Sequence, residues 1–287
     1  MPDTLLITGG SGYLGTRLAR QASDWWRVVA SYFSHPAAVA GCEFIRLDLR
    51  DPLTVAAHVA QERPRAIIHT ASDMRSPEAM QAVIVDGTRN IASAAVRVGA
   101  RLIHLSSDMV FDGEQGPYRE ADQPQPITPY GRAKAEAERI VAECCSDALI
   151  VRTSLIYGLD PPDPRTLWVI DSLRHAVPIT LFTDEVRCPV WVEQLAAGIL
   201  ELLDAGSTGV WHLAGPQSLS RYEFGERLAR ACGLEPGGLI AGLRRDSGLV
   251  RPRDLTLDVG KAQACLQAPL WGVDQVLAHR RSAPPRG

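Results

Sequence analysis

The hydrophobic positions in the first half of the chain fall into short runs separated by segments with helical spacing. The runs are continuously apolar rather than alternating, which is typical of parallel strands covered by helices on both faces. The pattern predicts strands at Thr4–Thr8, Arg27–Ser31, Glu43–Leu47, Arg65–Thr70, Arg101–Ser106 and Ala148–Thr153. Helices are predicted between them, including one from Pro52 to about Gln61 with Asp51 as its N-cap, and one over Pro129–Cys144.

The repeated alternation of strand and helix predicts an α/β fold: a Rossmann-type doubly wound parallel sheet with a smaller C-terminal substrate-binding lobe. Residues 1–158 are predicted to form the dinucleotide-binding domain, with some later segments returning to it. Beyond Gly158 the prolines at 161, 162 and 164 interrupt the regular pattern. Residues 159–287 are therefore predicted to form mainly the substrate-binding lobe.

Composition and charge exclude several classes of protein. A chain of 287 residues with 46% hydrophobic content can bury a full core without disulfides or metal. Its net charge of −3, with both signs interspersed, gives no basis for a nucleic-acid or membrane partner. No apolar run approaches the roughly 20 residues of a membrane span, and residues 1–8 lack the basic start of a signal peptide. Because the six cysteines show no C-x-x-C spacing and no Cys/His cluster is evident, we expect a cytoplasmic protein without a metal site.

The turn after the first predicted strand carries the pattern G-x-x-G-x-x-G, formed by Gly9, Gly12 and Gly15. The first glycine permits a tight turn, the second lets a pyrophosphate approach the backbone, and the third lets helix pack on strand. The N-terminus of the following helix offers free N–H groups to phosphate. A dinucleotide site is predicted here. The other residues predicted to bind the cofactor are Ser11, Tyr13, Leu14, Ser31, Ser34, His35, Asp48, Leu49, Ala71, Ser72, Tyr130, Lys134 and Thr153.

The end of the second predicted strand bears on the choice of cofactor. Folds that prefer NAD usually place an acid there to hold the ribose hydroxyls, and that acid would repel a 2′-phosphate. Residues 30–35 read ASYFSH and contain no acid, which favours NADP(H) over NAD(H). No arginine stands ready there to bind the phosphate, so Ser31, Ser34 and His35 are the weaker candidates. Asp48 is predicted either to bind the adenine amino group or to cap the next helix.

Tyr130 and Lys134 form a Y-x-x-x-K pattern at the start of a predicted helix. A spacing of four places both side chains on one helical face. A nearby ammonium favours the phenolate, so we expect the pKa of Tyr130 to lie below its usual value of about 10. Such a tyrosine can donate a proton to a carbonyl oxygen as hydride arrives. The pattern is weak by itself and gains weight from the motifs around it.

The sequence LSSDMVFDG at 105–113, followed by PYRE at 117–120, is similar to the S-T-D-Y-V-F-D-G…P-Y-x-E signature of dTDP-4-dehydrorhamnose reductases. Together with the Y-x-x-x-K pattern, it makes the chain resemble an extended short-chain dehydrogenase/reductase over nearly its whole length. The resemblance implies that Ser107 hydrogen-bonds the substrate carbonyl. It also implies that Tyr130 is the acid/base and that Lys134 holds the nicotinamide ribose.

The same resemblance extends to the substrate. The arginine of an R-P-x-D motif contacts the substrate diphosphate in related enzymes, which implies this role for Arg251. The residues predicted to contact substrate are Ser107, Asp108, Met109, Arg187, Trp191 and Arg251. Two positions depart from the pattern: Met109 replaces a tyrosine, and Ile84 replaces an asparagine that supports a water-linked proton path in many relatives. Met109 also stands where 4,6-dehydratases carry glutamate, which disfavours dehydration.

These observations together predict an oxidoreductase that transfers hydride from NADPH to a carbonyl, with a 4-keto sugar nucleotide such as dTDP-4-dehydrorhamnose or a related keto sugar as substrate. Two alternatives remain open. One is a nucleotide-sugar epimerase that uses the same side chains. The other is a non-catalytic NADP-binding regulatory subunit that resembles the methionine adenosyltransferase beta subunit. A homodimer is a further expectation, because the helix that bears Tyr130 often forms a dimer face in relatives.

Overall fold

The computed structural model describes residues 2–282, and of residues 281 and 282 only the backbone. The strands in this part of the chain are β1 (Thr4–Thr8), β2 (Arg27–Tyr32), β3 (Cys42–Arg46), β4 (Ala66–His69), β5 (Arg101–Ser107), β6 (Leu149–Thr153), β7 (Ile156–Tyr157), β8 (Ile179–Phe182), β9 (Val186–Arg187), β10 (Val190–Trp191), β11 (Gly209–Leu213), β12 (Leu219–Ser220) and β13 (Leu239–Gly242). The α-helices are α1 (Tyr13–Ala22), α2 (Pro52–Glu62), α3 (Pro77–Ala79), α4 (Gly87–Val98), α5 (Pro129–Cys144), α6 (Pro164–Arg174), α7 (Val192–Asp204), α8 (Arg221–Ala231), α9 (Gly260–Cys265) and α10 (Val273–Ser282). A π-helical segment, Met80–Asp86, joins α3 to α4.

Seven strands form one parallel sheet in the order β11-β6-β5-β4-β1-β2-β3. The chain moves outward from β1 to β3 on one side and from β4 to β11 on the other, so the order reverses between β1 and β4. In such sheets ligands bind outside the carboxyl ends of the strands at this switch point. The predicted Rossmann-type doubly wound sheet is confirmed. Its six predicted strands are all present, and β11 adds a seventh.

Local signals in the sequence set the ends of several helices. The Asp51 carboxylate accepts hydrogen bonds from two backbone N–H groups in the first turn of α2, at 2.9 and 3.3 Å, and Pro52 occupies the first helical position. The Thr128 hydroxyl caps α5 in the same way, accepting from the Gly131 N–H at 3.0 Å. At the C-terminal end of α4, Gly99 adopts the left-handed conformation with φ of 69°. Both helices predicted in detail, α2 and α5, are confirmed.

Apolar layers cover both faces of the sheet. On one face α1 and α7 pack on residues such as Leu5, Ile7 and Ile103. On the other, α2, α4 and α5 pack on residues such as Leu6 and Leu102. Since neighbouring residues of one strand are buried on opposite faces, the strands need continuous apolar sequence. This explains why hydrophobic runs, rather than alternation, predicted them.

The chain beyond residue 158 has two kinds of segment. β11 and α7 complete the main sheet and its helical layer, whereas α6 and α8 accompany the small paired sheets β9–β12 and β8–β13. The assignment of residues 159–287 as mainly a substrate-binding lobe stays a prediction. Within residues 2–282 no helix has both the length and the apolar character needed to cross a bilayer.

Candidate functional site

Two clefts open at the carboxyl ends of the strands. The first has a volume of about 560 Å³ and lies at the ends of β1, β2 and β4. The glycine turn forms part of its lining: Gly9 has φ of 70°, and a Cβ there would lie 2.8 Å from the Ala71 backbone. A Cβ on Gly12 would have the Gly9 carbonyl oxygen, at 3.0 Å, as its one close neighbour. The N-terminus of α1 is therefore open to a phosphate group, and the turn fits the pyrophosphate of a dinucleotide.

The first cleft, which we call the cofactor cleft, brings together most of the residues predicted to bind the cofactor. Those in its lining are Gly9, Ser11, Gly12, Ser31, Ser34, His35, Asp48, Leu49, Ala71 and Ser72. Six others lie elsewhere, among them Tyr130, which lines the second cleft, and the buried Lys134. Leu14 belongs to the core, Gly15 packs against the turn, Tyr13 lines the second cleft, and the Thr153 hydroxyl donates to the Leu213 carbonyl at 2.7 Å.

Two arginines line this cleft outside residues 30–35, and each is paired with an aspartate, Arg50 with Asp48 and Arg75 with Asp73. Two nitrogens of the Arg50 guanidinium donate to the two oxygens of Asp48, at 2.8 and 2.7 Å, and the group lies 4.7 Å from the centre of the Phe33 ring. Because Arg50 follows the third strand rather than the second, inspection of residues 30–35 missed it. Asp48 does not cap α2, which is capped by Asp51.

The second cleft has a volume of about 670 Å³ and is lined by two of the three predicted catalytic residues, Ser107 and Tyr130. We call it the substrate cleft. Ser107 ends β5 and Tyr130 begins α5, and both line this cleft. Lys134 lies one turn further along α5, is 2% exposed, and donates from Nζ to the Leu105 carbonyl at 2.8 Å. Ser107 and Tyr130 thus share this cleft, and Lys134 lies buried beside it against β5. The Ser72 hydroxyl, in the wall of the cofactor cleft, lies within hydrogen-bonding reach of the Tyr130 phenol. The two clefts therefore adjoin at this tyrosine.

The pKa of Tyr130 is raised above its usual value, and the expectation of a lowered pKa is wrong. Burial is the largest cause, and the Asp108 carboxylate adds to it, whereas the hydroxyls of Ser107 and Ser72 act in the opposite direction. Burial also lowers the pKa of Lys134 to about 8, although the Glu138 carboxylate opposes this change. Near neutral pH the site therefore holds a protonated phenol and an ammonium close to its titration range.

A buried ion pair lies beneath Ser107. Asp108 is 0% exposed and accepts two hydrogen bonds from the Arg187 guanidinium, at 2.8 and 2.5 Å. Its carboxylate also accepts from the hydroxyls of Ser107, at 3.1 Å, and Ser154, at 2.6 Å. The Asp108 carboxylate thus accepts hydrogen bonds from three side chains of the protein. This network holds the Ser107 side chain at the edge of the cleft. Asp108 supports the site from below and does not line the cleft.

Four arginines gather around one carboxylate at the far end of the substrate cleft. Arg251 forms an ion pair with Glu185 at 3.1 Å, and Arg187 lies 4.0 Å from it. Arg165 also lines the cleft, and within the described part of the chain it forms no ion pair. Burial and the neighbouring guanidinium groups, led by that of Arg165, lower the pKa of Arg221 to about 10. Counting Asp108, four guanidinium groups face two carboxylates, which leaves a net positive end suited to an anionic ligand.

Part of the wall of the substrate cleft is apolar. Met74, Met80 and Met109 line it together. The predicted substrate contact Trp191 lies outside the lining; its ring packs on Tyr157 at 5.2 Å between centres and is covered by the Arg280 guanidinium. Trp191 is therefore a partly buried packing residue and does not line this cleft.

The Ile84 backbone carbonyl accepts a short hydrogen bond from the Thr88 hydroxyl. The same hydroxyl lies 3.0 Å from Nε2 of His69, whose Nδ1 lies 2.6 Å from the hydroxyl of Thr8. His69 is therefore a buried histidine with a hydroxyl partner at each ring nitrogen. Within residues 2–282 no three His, Cys, Asp or Glu side chains converge in a metal-binding group.

A family model described as the RmlD substrate binding domain matches residues 3–278. The chain belongs to this family. Among the RmlD relatives, a probable low-salt glycan biosynthesis reductase, Agl14, of Haloferax volcanii is 31% identical over 274 residues, 90% of each chain. The dTDP-4-keto-6-deoxy-D-glucose reductase of Streptomyces niveus is 31% identical over 264 residues, 88% of each chain. The methionine adenosyltransferase 2 subunit beta of Bos taurus is 29% identical over 288 residues, 90% of this chain and 81% of its own.

Solved structures of RmlD-type proteins share the fold. A hypothetical dTDP-4-dehydrorhamnose reductase from Sulfolobus tokodaii superimposes with a TM-score of 0.83 at 30% identity, covering 96% of this chain and 98% of its own. The dTDP-4-dehydrorhamnose reductase of Bacillus anthracis, in complex with NADP, also gives a TM-score of 0.83, at 24% identity over 97% and 98% of the two chains.

The resemblance read from the motifs is thereby confirmed. This RmlD-family chain is an NAD(P)-dependent oxidoreductase of the short-chain dehydrogenase/reductase type, in a family of sugar-nucleotide reductases. The roles of its individual residues, its substrate and its preferred nicotinamide cofactor stay predictions.

Proposed function

We propose that the protein is an NADPH-dependent reductase of the keto group of a sugar nucleotide, of the 4-keto-6-deoxy class named for its relatives. One observation carries the proposal. The substrate cleft has Ser107 and Tyr130 at the end that adjoins the cofactor cleft, and an arginine-rich end around Glu185. A keto sugar joined to a nucleoside diphosphate needs both ends, because its carbonyl must reach the phenol while its diphosphate needs positive charge.

The mechanism follows from the positions of three side chains. When bound in the cofactor cleft, the nicotinamide group supplies the hydride. The Ser107 hydroxyl orients the substrate carbonyl, and the Tyr130 phenol donates its proton to the carbonyl oxygen as negative charge develops there. The raised pKa of Tyr130 keeps the phenol protonated at neutral pH, which suits the acid required for reduction. The Lys134 ammonium, one helical turn away, stabilises the phenolate that remains.

The cofactor is proposed to bind with its pyrophosphate at Gly12 and the N-terminus of α1, and with its nicotinamide ribose near Lys134. The preference for NADP(H) is proposed to rest on Arg50 and Arg75, which line the adenosine end, and on the lack of an acid at residues 30–35. To bind a 2′-phosphate, the Arg50 guanidinium would exchange one of its two bonds to Asp48 for a phosphate oxygen.

The proposal is tested in two steps on the purified full chain. NADPH and NADH are titrated separately, and the enhancement of nicotinamide fluorescence measures binding. NADPH oxidation is then followed with dTDP-4-keto-6-deoxy-D-glucose as substrate, and Tyr130→Phe is the matched control. Tighter binding of NADPH and one NADPH consumed per sugar reduced would support the proposal. Binding of neither nucleotide would overturn it.

Each rival function predicts a different result in the same assay. An epimerase would return a changed sugar with no net consumption of NADPH. The second rival is a regulatory subunit, and its support is the similarity to the methionine adenosyltransferase 2 subunit beta over 90% of this chain. That function would give NADPH binding without reduction of any keto sugar, together with a stable complex with a methionine adenosyltransferase catalytic chain.

A further inference from the structure

A third ionisable residue follows Tyr130 and Lys134 along the buried face of α5. Glu138 lies four residues beyond Lys134 and is 5% exposed. Positions four apart on a helix are neighbours, so the Glu138 carboxylate lies one turn behind the Lys134 ammonium. Charged side chains are almost never this deeply buried unless a partner holds them.

The partner of Glu138 is Arg152 on β6. Arg152 Nε donates to the two carboxylate oxygens at 3.0 and 3.2 Å, and Nη2 donates to one of them at 2.8 Å. The guanidinium itself is held by the carbonyl oxygens of Glu120 and Asp122, each 3.4 Å from Nη1, and lies 5.0 Å from the centre of the Phe111 ring. The orientation of the Glu138 carboxylate is therefore set by a rigid strand rather than by its own helix.

The other groups that face Lys134 cannot replace this carboxylate. His69 on β4 and His104 on β5 lie beside it, and burial lowers the pKa of both imidazoles, so both are neutral. The Leu105 carbonyl accepts one hydrogen bond from the ammonium but carries no charge. Glu138 is the charged group that raises the pKa of Lys134 against the effect of burial.

We propose that Glu138, held in place by Arg152, is a positioning residue that keeps Lys134 protonated and directed toward Tyr130. Its importance for turnover rests on the proposed reductase function. The effect on Lys134 itself does not depend on that function, which allows the two to be tested separately. The competing interpretation is a buried ion pair that stabilises the fold and has no effect on Lys134.

The chain contains only two lysines, Lys134 and Lys261, which makes a direct test possible. In full-length protein labelled with ¹³C or ¹⁵N at lysine, two side-chain signals are followed by NMR as pH is raised, and Lys261→Arg assigns them. In Glu138→Gln we expect the Lys134 signal to titrate about one pH unit lower, a tenfold change in the ratio of ammonium to amine. The exposed Lys261 signal provides an internal reference.

Glu143→Gln is the matched control, since it removes an exposed carboxylate that pairs with Arg139 on the same helix. This variant should leave the Lys134 titration unchanged. If Glu138→Gln folds and Lys134 titrates as in the parent, the proposal is wrong. If Glu138→Gln does not fold, the pair Glu138→Leu and Arg152→Met removes both charges together, and a downward change in the Lys134 titration is still required, smaller because the Arg152 charge is lost as well.

An activity readout then tests the link to turnover. Because Lys134 must be protonated, activity should fall as pH rises through the pKa of this lysine, about 8 in the parent. In Glu138→Gln this fall should begin about one pH unit lower, with turnover near that of the parent at pH 6.5, and Glu138→Asp should restore most of the range. An equal loss at every pH would indicate a purely structural role. If no keto sugar is reduced by the parent, the proposed function fails while the NMR result still decides the role of Glu138.

Discussion

The two clefts differ in the residues that line them and in how far apart those residues lie in the sequence. The cofactor cleft lies around one local turn: Gly9, Ser11 and Gly12 line it together with residues that follow β2, β3 and β4. The substrate cleft combines apolar side chains such as Met109 with charged and polar ones that come from widely separated positions, from Ser107 to Arg251. Binding at the glycine turn of the cofactor cleft depends on backbone within one turn of chain. Binding in the substrate cleft depends on side-chain contacts, including ion pairs, that exist only after folding. The difference implies that substitutions should act locally in the first cleft and through whole networks in the second.

The largest effect is expected at Tyr130, where the two clefts meet. Its substitution should lower turnover without weakening cofactor binding. Tyr130→Phe removes the proton donor but retains the ring, so turnover should fall on the order of 10²–10⁴-fold. Cofactor binding should remain near the parent value, because the glycine turn and the N-terminus of α1 are untouched. Steady-state kinetics and fluorescence titration measure the two quantities. A variant with nearly full turnover would show that Tyr130 is not the acid.

The second prediction concerns the buried pair of Asp108 and Arg187. Arg187→Met leaves the Asp108 carboxylate uncompensated in the interior, which should lower the free energy of unfolding by about 3–5 kcal/mol. Urea denaturation measures this quantity. The double variant with Asp108→Asn removes both charges and should recover much of the loss. If Arg187→Met instead keeps its stability and only raises KM for the sugar nucleotide, then Arg187 acts mainly on the ligand, as the sequence motif implied.

This contrast explains which features of the two clefts could be predicted from the sequence and which could not. The glycine turn, the cap at Asp51 and the Y-x-x-x-K pattern are local, so each could be recognised within one turn of chain. The pairing of Asp108 with Arg187, 79 residues apart, could not, because nothing in either segment specifies the other. The same holds for Arg165 and Glu185, whose meeting at the end of the substrate cleft depends on how α6 and the short strand β9 pack.

One error had a different physical origin. Proximity of Tyr130 to Lys134 predicted a lowered tyrosine pKa, since spacing along a helix shows which charges are near. Spacing does not show how much water the fold removes, and in this site burial is the largest effect on the pKa of Tyr130. Burial depends on the packing of α5 against β5 and on the Asp108 network, and neither is encoded near residue 130.

A third, smaller effect should appear at the arginine-rich end of the substrate cleft. Arg165 has no ion-pair partner within the described residues, so Arg165→Met frees no buried carboxylate and should not disturb the fold. A lost charge-assisted hydrogen bond of about 1.5–3 kcal/mol corresponds to an increase of roughly 10- to 100-fold in KM for the sugar nucleotide. Turnover at saturation should change little. Arg174→Met, on the exposed end of the same helix, is the control, and an equal effect of both variants would exclude a specific contact.

The smallest expected effect tests whether side chains contribute to recognition in the cofactor cleft as well. Arg50 is half exposed and already paired with Asp48, so its contact with a 2′-phosphate competes with both water and that carboxylate. Exposed ion pairs contribute about 0.2–1 kcal/mol, so Arg50→Met should reduce the preference for NADPH over NADH by roughly two- to fivefold. Added salt should weaken the preference of the parent in the same direction, because exposed charges are screened. Arg97→Met, remote from the cleft on α4, should have no effect. If Arg50→Met leaves the preference unchanged, the 2′-phosphate must be bound by Arg75 or by the hydroxyl and imidazole groups of Ser31, Ser34 and His35, and the adenosine end would then be recognised without Arg50.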